Sequence, residues 1–279
     1  SDDEWNPKKL EIQKSFLDQN GSVSAVFSNV IWINDHGEVL GESATPYFHV
    51  FRQKNRSRWN WLRDLLENGD CLCHSSVLIR REVYEKLGNY DNRFRQLPDL
   101  YMWTKVVQQG DIFVMPDKLV AFRLHDSNTS APSKTSSARS INEHSVIVRE
   151  TFASITPLNF FQSFGLKGIS VPDGTQLEIE KALYLIEHTG LYRNMFREIG
   201  MEAIYDLMKN PEARSLLSEK FSFSFPDLHK YAGERSVWLP PTVQLMNDPY
   251  EAVRAVRSVA LAQLVFARLR ARVRATLNR

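Results

Sequence analysis

The sequence predicts an α/β fold that passes into a mostly helical region, on three observations. Up to about residue 136, short runs rich in Val, Ile, Phe and Trp alternate with segments of helical period. Gly, Pro and Asn mark the junctions between them. Beyond that point strand-like runs are nearly absent and helical periodicity takes over. We therefore expect one domain over 1–150 and a helical region over 151–279.

Each element has a local reason. Asn6-Pro7 suits the start of a helix through Leu17, with Asn20-Gly21 ending it. The run Ser24–Asn34 reads as a strand, turned by Asp35-His36-Gly37 into a short strand over Glu38–Gly41. Ser57–Glu67 has an apolar helical face of Trp59, Leu62, Leu65 and Leu66, closed by Asn68-Gly69. Cys71–Ile79 is expected to be a strand, and Arg81–Leu87 a short helix stopped at Gly88. Asp99–Gln109 is a helix that turns Met102, Trp103, Val106 and Val107 inward. Ile112–Met115 and Leu119–Arg123 read as two brief strands separated by Pro116. Ser127–Ser137 reads as a loop. Helices are expected over Ser140–Phe152, Gln176–His188, Asn194–Lys209 and Pro211–Lys220.

Composition narrows the class. With 43% hydrophobic and 24% charged residues the chain matches folded globular proteins rather than disordered ones. No apolar run approaches the ~20 residues that span a bilayer, and no stretch at the start reads as a secretory signal. Cys71 and Cys73 stand two apart, poorly placed for a mutual disulfide and too few for a structural zinc site. We read them as reduced thiols of a cytoplasmic protein. Residues 251–279 hold seven Arg and one Glu, a net +6, which leaves −4 for the remainder of a chain whose total is +2. That mildly acidic remainder argues against nucleic acid as a partner.

Three stretches, in this order, carry a resemblance. The first is Ser1-Asp2-Asp3-Glu4-Trp5 with the helix after it. The second runs from His74-Ser75-Ser76-Val77-Leu78-Ile79-Arg80-Arg81 to Leu87-Gly88-Asn89-Tyr90-Asp91. The third is Pro98-Asp99-Leu100-Tyr101-Met102-Trp103, followed by Arg123-Leu124-His125. Each is weak alone. In this order and spacing, over about residues 1–130, they resemble the family-2 glycosyltransferases of the GT-A fold, a Rossmann-like α/β architecture. The helical remainder resembles no family we can name.

The resemblance implies transfer of a sugar from a nucleotide-sugar donor to an acceptor hydroxyl, with inversion, in polysaccharide or glycan synthesis. The departing diphosphate needs its charge neutralised, which a divalent metal, magnesium or manganese, can do. Asp3 would be the direct metal ligand and Asp2 would contact the ribose or the metal's water shell; the plainer reading is that both cap the following helix. Asp99, at a helix start, would be the general base, or only a cap after Pro98. In the family the position of Pro98 is acidic, so acceptor positioning is the less secure part of the likeness. Arg123 and His125 would hold the diphosphate, and His125 also the metal. His74 and Arg80 fall on the acceptor side. Trp103 reads there as core or as a sugar platform, and Arg80 and Arg81 as acceptor contacts or solvated surface. In this family the donor's base and ribose are gripped by a βαβ unit before the Asp motif. Nothing ahead of Ser1 corresponds to it, so the chain alone is expected to be inactive and to bind donor poorly.

The basic tail interleaves Arg254, Arg257, Arg268, Arg270, Arg272 and Arg274 with apolar residues. As a helix it would be amphipathic. It would lie peripherally on an anionic membrane at the inner face, where lipid-linked acceptors are found, or pack against a partner. A non-catalytic scaffold or carbohydrate-binding module is the alternative for the whole chain.

Overall fold

The computed structural model describes residues 2–45, 47–125, 128, 133–165, 171–172 and 174–234. The elements run β1 (Glu4–Trp5), α1 (Lys9–Gln19), β2 (Val23–Ile33), α2 (Arg58–Asn68), β3 (Leu78–Ile79), α3 (Arg81–Leu87), α4 (Pro98–Gln109) and β4 (Asp111–Arg123). Then follow α5 (Lys134–Ser154), α6 (Pro157–Phe164), α7 (Gly174–Glu187), α8 (Arg193–Leu207), α9 (Pro211–Phe221) and α10 (Phe225–Glu234). The basic tail lies outside the described residues. Among those described, no helix is long and apolar enough to cross a membrane.

The sheet has the order β1-β4-β2-β3, with β2 and β4 parallel at its centre and antiparallel edges. Alternation along β2 sorts its side chains between two faces. Val26 meets Leu17 of α1 on one, and Ala25 and Phe27 join α2 and α4 on the other. That second face is the main core. Trp61, Leu62, Leu65 and Leu66 of α2 and Leu100, Trp103, Val106 and Val107 of α4 are all fully buried there. Each such aliphatic side chain contributes about 1.5–3 kcal/mol relative to leaving it in water.

Helix ends follow their local chemistry. The Ser57 hydroxyl accepts from the Asn60 N–H, and α2 stops at Gly69, whose φ of 89° a side chain would resist. Asn6 works from further upstream than expected, its Oδ1 taking the Lys8 N–H at 2.9 Å before α1 begins at Lys9.

Several expectations need correction. Cys71–Ile79 is not one strand: His74–Ser76 forms a 3-10 turn and only Leu78 and Ile79 pair with β2. The cause is Ser76, whose N–H and hydroxyl both bond back to the Cys73 carbonyl, at 3.0 and 2.8 Å. Pro116 does not divide β4. The partners of Ser28 and Asn29 are Met115 and Lys118, so Pro116 and Asp117 bulge out and the strand resumes. Ahead of the bulge in β4, the Asn55 amide takes the Val114 N–H and gives its own N–H to the Val114 carbonyl, at 2.8 and 2.9 Å. It makes the two bonds a neighbouring strand would make. The strand expected over Glu38–Gly41 is a single bridge from Ile33 to Val39. Residues 134–137, read as loop, open α5 behind a capping box of Ser133 and Ser136. Helices α6 and α10 were not anticipated.

The chain divides into compact units between Ala203 and Ile204, and the main core runs from Ala25 to Ile199, straight through the boundary expected near residue 150. The reason is α5, which straddles residue 150 and buries Ile147, Val148 and Phe152 in that core. The second unit, taken by itself, buries Ala213, Leu217, Phe223 and Leu228. Its Ser224 N–H and hydroxyl both reach the Asp227 carboxylate, at 2.8 and 2.6 Å.

Candidate functional site

The edge strand β1 pairs Glu4 with Ala121 and Trp5 with Val120. Continued backward, that antiparallel register brings Asp2 and Asp3 beside the end of β4. The Arg123 N–H donates to Asp3 Oδ1 at 2.8 Å. The Arg123 guanidinium, only 16% exposed, donates to the carbonyls of Asp2 at 3.0 Å, Asn34 at 2.7 Å and Asp35 at 3.0 Å, and pairs with Glu4. Arg123 thus ties the amino-terminal segment to the turn after β2. His125 contacts the Asp2 carboxylate through Nε2, and this hydrogen bond holds Asp2 below the usual carboxylate range.

The other oxygen of Asp3 accepts the Ser75 hydroxyl. Ser75 sits in the 3-10 turn, which is held from below. Gln13 of α1 donates to the Ser76 carbonyl at 2.8 Å, and the Ser28 N–H donates to the Ser76 hydroxyl at 3.1 Å. Buried Lys9 reaches the Val77 carbonyl at 3.2 Å and lies 4.2 Å from the centre of the Trp5 ring; burial pushes its amine down to about 8. Burial, with the charge of Asp3 adding to it, pushes the Cys73 thiol up to about 12, and Cys71 is likewise raised to about 12. Both cysteines are free and neither is a ready nucleophile.

The same turn carries His74, whose Nδ1 stands 3.6 Å from Oδ1 of Asp99 in the first turn of α4. His74 is 52% exposed and the Asp99 side chain 29%. Burial raises the Asp99 carboxyl above its ordinary value, and His74 draws it partly back. Behind His74 lie the rings of Tyr90, 5.2 Å away, and Trp103, 6.2 Å away. Asp70 sits nearby, its Oδ1 taking the Leu72 N–H at 2.9 Å. Burial first, and the charge of Asp99 in addition, push Asp70 up to about 7. Asp70 titrates against the charge of Asp99, so a negative charge on one disfavours ionisation of the other.

Of the residues named on the acceptor side, Arg80 is engaged by backbone and Trp103 follows its core reading. Arg80 is occupied by backbone: its guanidinium donates to the carbonyls of Leu17 at 2.5 Å, Asn20 at 3.2 Å and Val23 at 2.8 Å, closing the end of α1. Trp103 is fully buried and meets Phe27 edge-on at 4.9 Å, so it supports the floor under His74 and offers no platform to a sugar. Asp2 and Asp3 do not cap α1; their carboxylates face His125, Ser75 and Arg123. The structure brings Asp2, Asp3, Arg123 and His125 together, with His74 and Asp99 joined to them through Ser75.

Among the described residues, no three His, Cys, Asp or Glu side chains form a metal-holding group. What the edge offers an ion is the hard carboxylate oxygens of Asp2 and Asp3 and the His125 imidazole.

Sequence reasoning missed Ser75 and Asp70. The Ser-Ser pair after His74 could have signalled a turn, since adjacent hydroxyls compete for backbone carbonyls. Asp70 follows Gly69 and reads as ordinary helix-end punctuation. No family model matches the chain, and no curated protein matches it.

Proposed function

We propose that this chain carries the diphosphate-facing and acceptor-facing part of an inverting, nucleotide-sugar-dependent glycosyltransferase site. The supporting observation is the His74–Ser75 turn. Ser75 holds Asp3 and His74, just before it, faces Asp99, so two carboxylates stand at either end of one short segment. A direct displacement asks for that: negative charge must be managed where the leaving group departs and a proton removed where the acceptor attacks.

In this reading Asp99 takes the acceptor hydroxyl's proton as that oxygen bonds to the anomeric carbon. The bond from that carbon to the diphosphate oxygen breaks, and the electron pair leaves with the diphosphate. Burial raises the proton affinity of Asp99, and His74 keeps it ionisable. Asp70, with its carboxyl near 7, remains largely protonated below neutrality and spares Asp99 a second negative charge. A divalent cation would neutralise the diphosphate. Such ions are commonly held by one or two carboxylates plus substrate phosphates, a demand that Asp3, with Asp2 and His125 beside it, can meet. Donor sugar and acceptor, glycan or lipid-linked, are open to assay.

The test is release of nucleoside diphosphate from a panel of nucleotide sugars, with and without manganese. It uses the full chain, including any residues encoded before Ser1. Metal-dependent release from one donor, abolished by Asp3→Ala and reduced about 10²–10⁴-fold by Asp99→Asn, is expected. Release that survives both substitutions refutes the reading. A non-catalytic scaffold is the second reading, favoured by the prior engagement of both Asp3 oxygens with Ser75 and Arg123. A folded protein that binds glycan yet turns over no donor would establish it.

A further inference from the structure

Helix α4 begins without a side-chain cap. Leu97 stands at its N-cap with no side-chain bond, and Pro98 follows. The loop before it is held instead by Glu143 of α5. Glu143 Oε1 accepts the Arg95 N–H at 3.0 Å, and its Oε2 accepts those of Gln96 at 2.7 Å and Leu97 at 2.8 Å. Seven residues along the same helix, two turns away on the same face, Glu150 accepts the Tyr101 hydroxyl at 2.6 Å. It also pairs with Arg93 at 2.8 Å, and Arg93 in turn holds Asp91. The backbone ahead of Pro98 and the Tyr101 side chain two residues after Asp99 are thus both held by carboxylates of one helix.

We infer that α5 is a strut for Asp99, with Glu143 and Glu150 as positioning residues that hold the start of α4 against His74. The inference rests on the reading of Asp99 as the base. It assigns part of the site to a helix that carries no motif of its own and that runs beyond the expected domain boundary. A charge-assisted bond to each of several consecutive N–H groups is stronger than a neutral one and restricts the loop that leads into Pro98. Displacing a reacting group by about 1 Å can cost on the order of a hundredfold in rate, so such restriction has catalytic consequence.

The experiment uses Glu143→Gln in the full chain. This variant keeps the side chain's size but places an amide N–H against backbone N–H groups. Asp99 is titrated by carboxyl-carbon NMR, and kcat and donor KM are measured alongside thermal unfolding. With the strut cut, water reaches Asp99 and its pKa falls toward the usual carboxylate range. The kcat falls on the order of tenfold to a hundredfold with donor KM unchanged. A lower melting temperature with the Asp99 titration and kcat both as in the unaltered protein overturns the inference. If Glu143→Gln is too unstable to titrate, Tyr101→Phe, which cuts only the link to Glu150, is read by the same two outcomes. Should the unaltered protein turn over no donor, the glycosyltransferase reading fails separately, and the Asp99 titration alone decides the strut.

Discussion

Replacing Asp70 by Asn isolates the electrostatic stress built into the site. The Asn side-chain oxygen can still accept the Leu72 N–H, so geometry is retained while the ionisable group is removed. Burial, with the Asp99 charge adding to it, moves the Asp70 carboxyl from 3.8 to about 7. The folded protein therefore holds this proton more tightly than the unfolded chain does. That contribution to stability is complete below about pH 4 and is lost as pH rises through about 7. At 1.36 kcal/mol per pH unit, the whole displacement is worth about 4 kcal/mol, an upper bound because the folded state can admit water around the charge. Urea unfolding of both proteins from pH 4 to pH 8.5 reads it directly. Their stabilities should coincide at the acid end and diverge above it, with Asp70→Asn more stable by up to about 4 kcal/mol at the alkaline end. Parallel stability profiles across the whole range would refute the upward displacement of this carboxyl and the burial that causes it.

Three further outcomes are expected. Gly200→Ala should destabilise by about 1–3 kcal/mol in chemical denaturation, because the new methyl would stand 2.8 Å from both the Ala182 carbonyl oxygen and the Ile186 nitrogen on α7. Arg123→Ala strips donors from three backbone carbonyls and frees Glu4. A loss of about 3 kcal/mol follows, and unchanged urea stability would show that these bonds are idle. His125→Ala should let the Asp2 carboxyl rise toward its ordinary value in an NMR titration, since the hydrogen bond from His125 is the first cause of its depression.

The local elements were open to sequence reading because their causes are local. Ser57, Gly69 and Gly88 bound α2 and α3 as their chemistry dictates, and the inward face of α4 is the one its periodicity marks. Candidate residues at the ends of elements, Asp2, Asp3, Arg123, His125, His74 and Asp99, could be nominated through the family resemblance that their motifs carry. Their grouping could not. Asp3 meets Ser75 across 72 positions and Arg123 across 120; the pairing of β1 with β4 brings it to Arg123, and the seating of the 3-10 turn on α1 and β2 brings it to Ser75. Sequence treated Arg80 as an acceptor contact or solvated surface because it could not show that three carbonyls from the end of α1 to the start of β2 would enclose it. It split β4 at Pro116 because a missing N–H usually ends a strand, whereas here a bulge absorbs it. Glu143 was invisible as a partner of the Asp99 loop, 46 to 48 positions away, since a surface-like glutamate in a helix carries no mark of what it will face. Periodicity and capping follow from neighbours along the chain. Burial, pKa and partnership follow from neighbours in space, and those depend on how the chain packs.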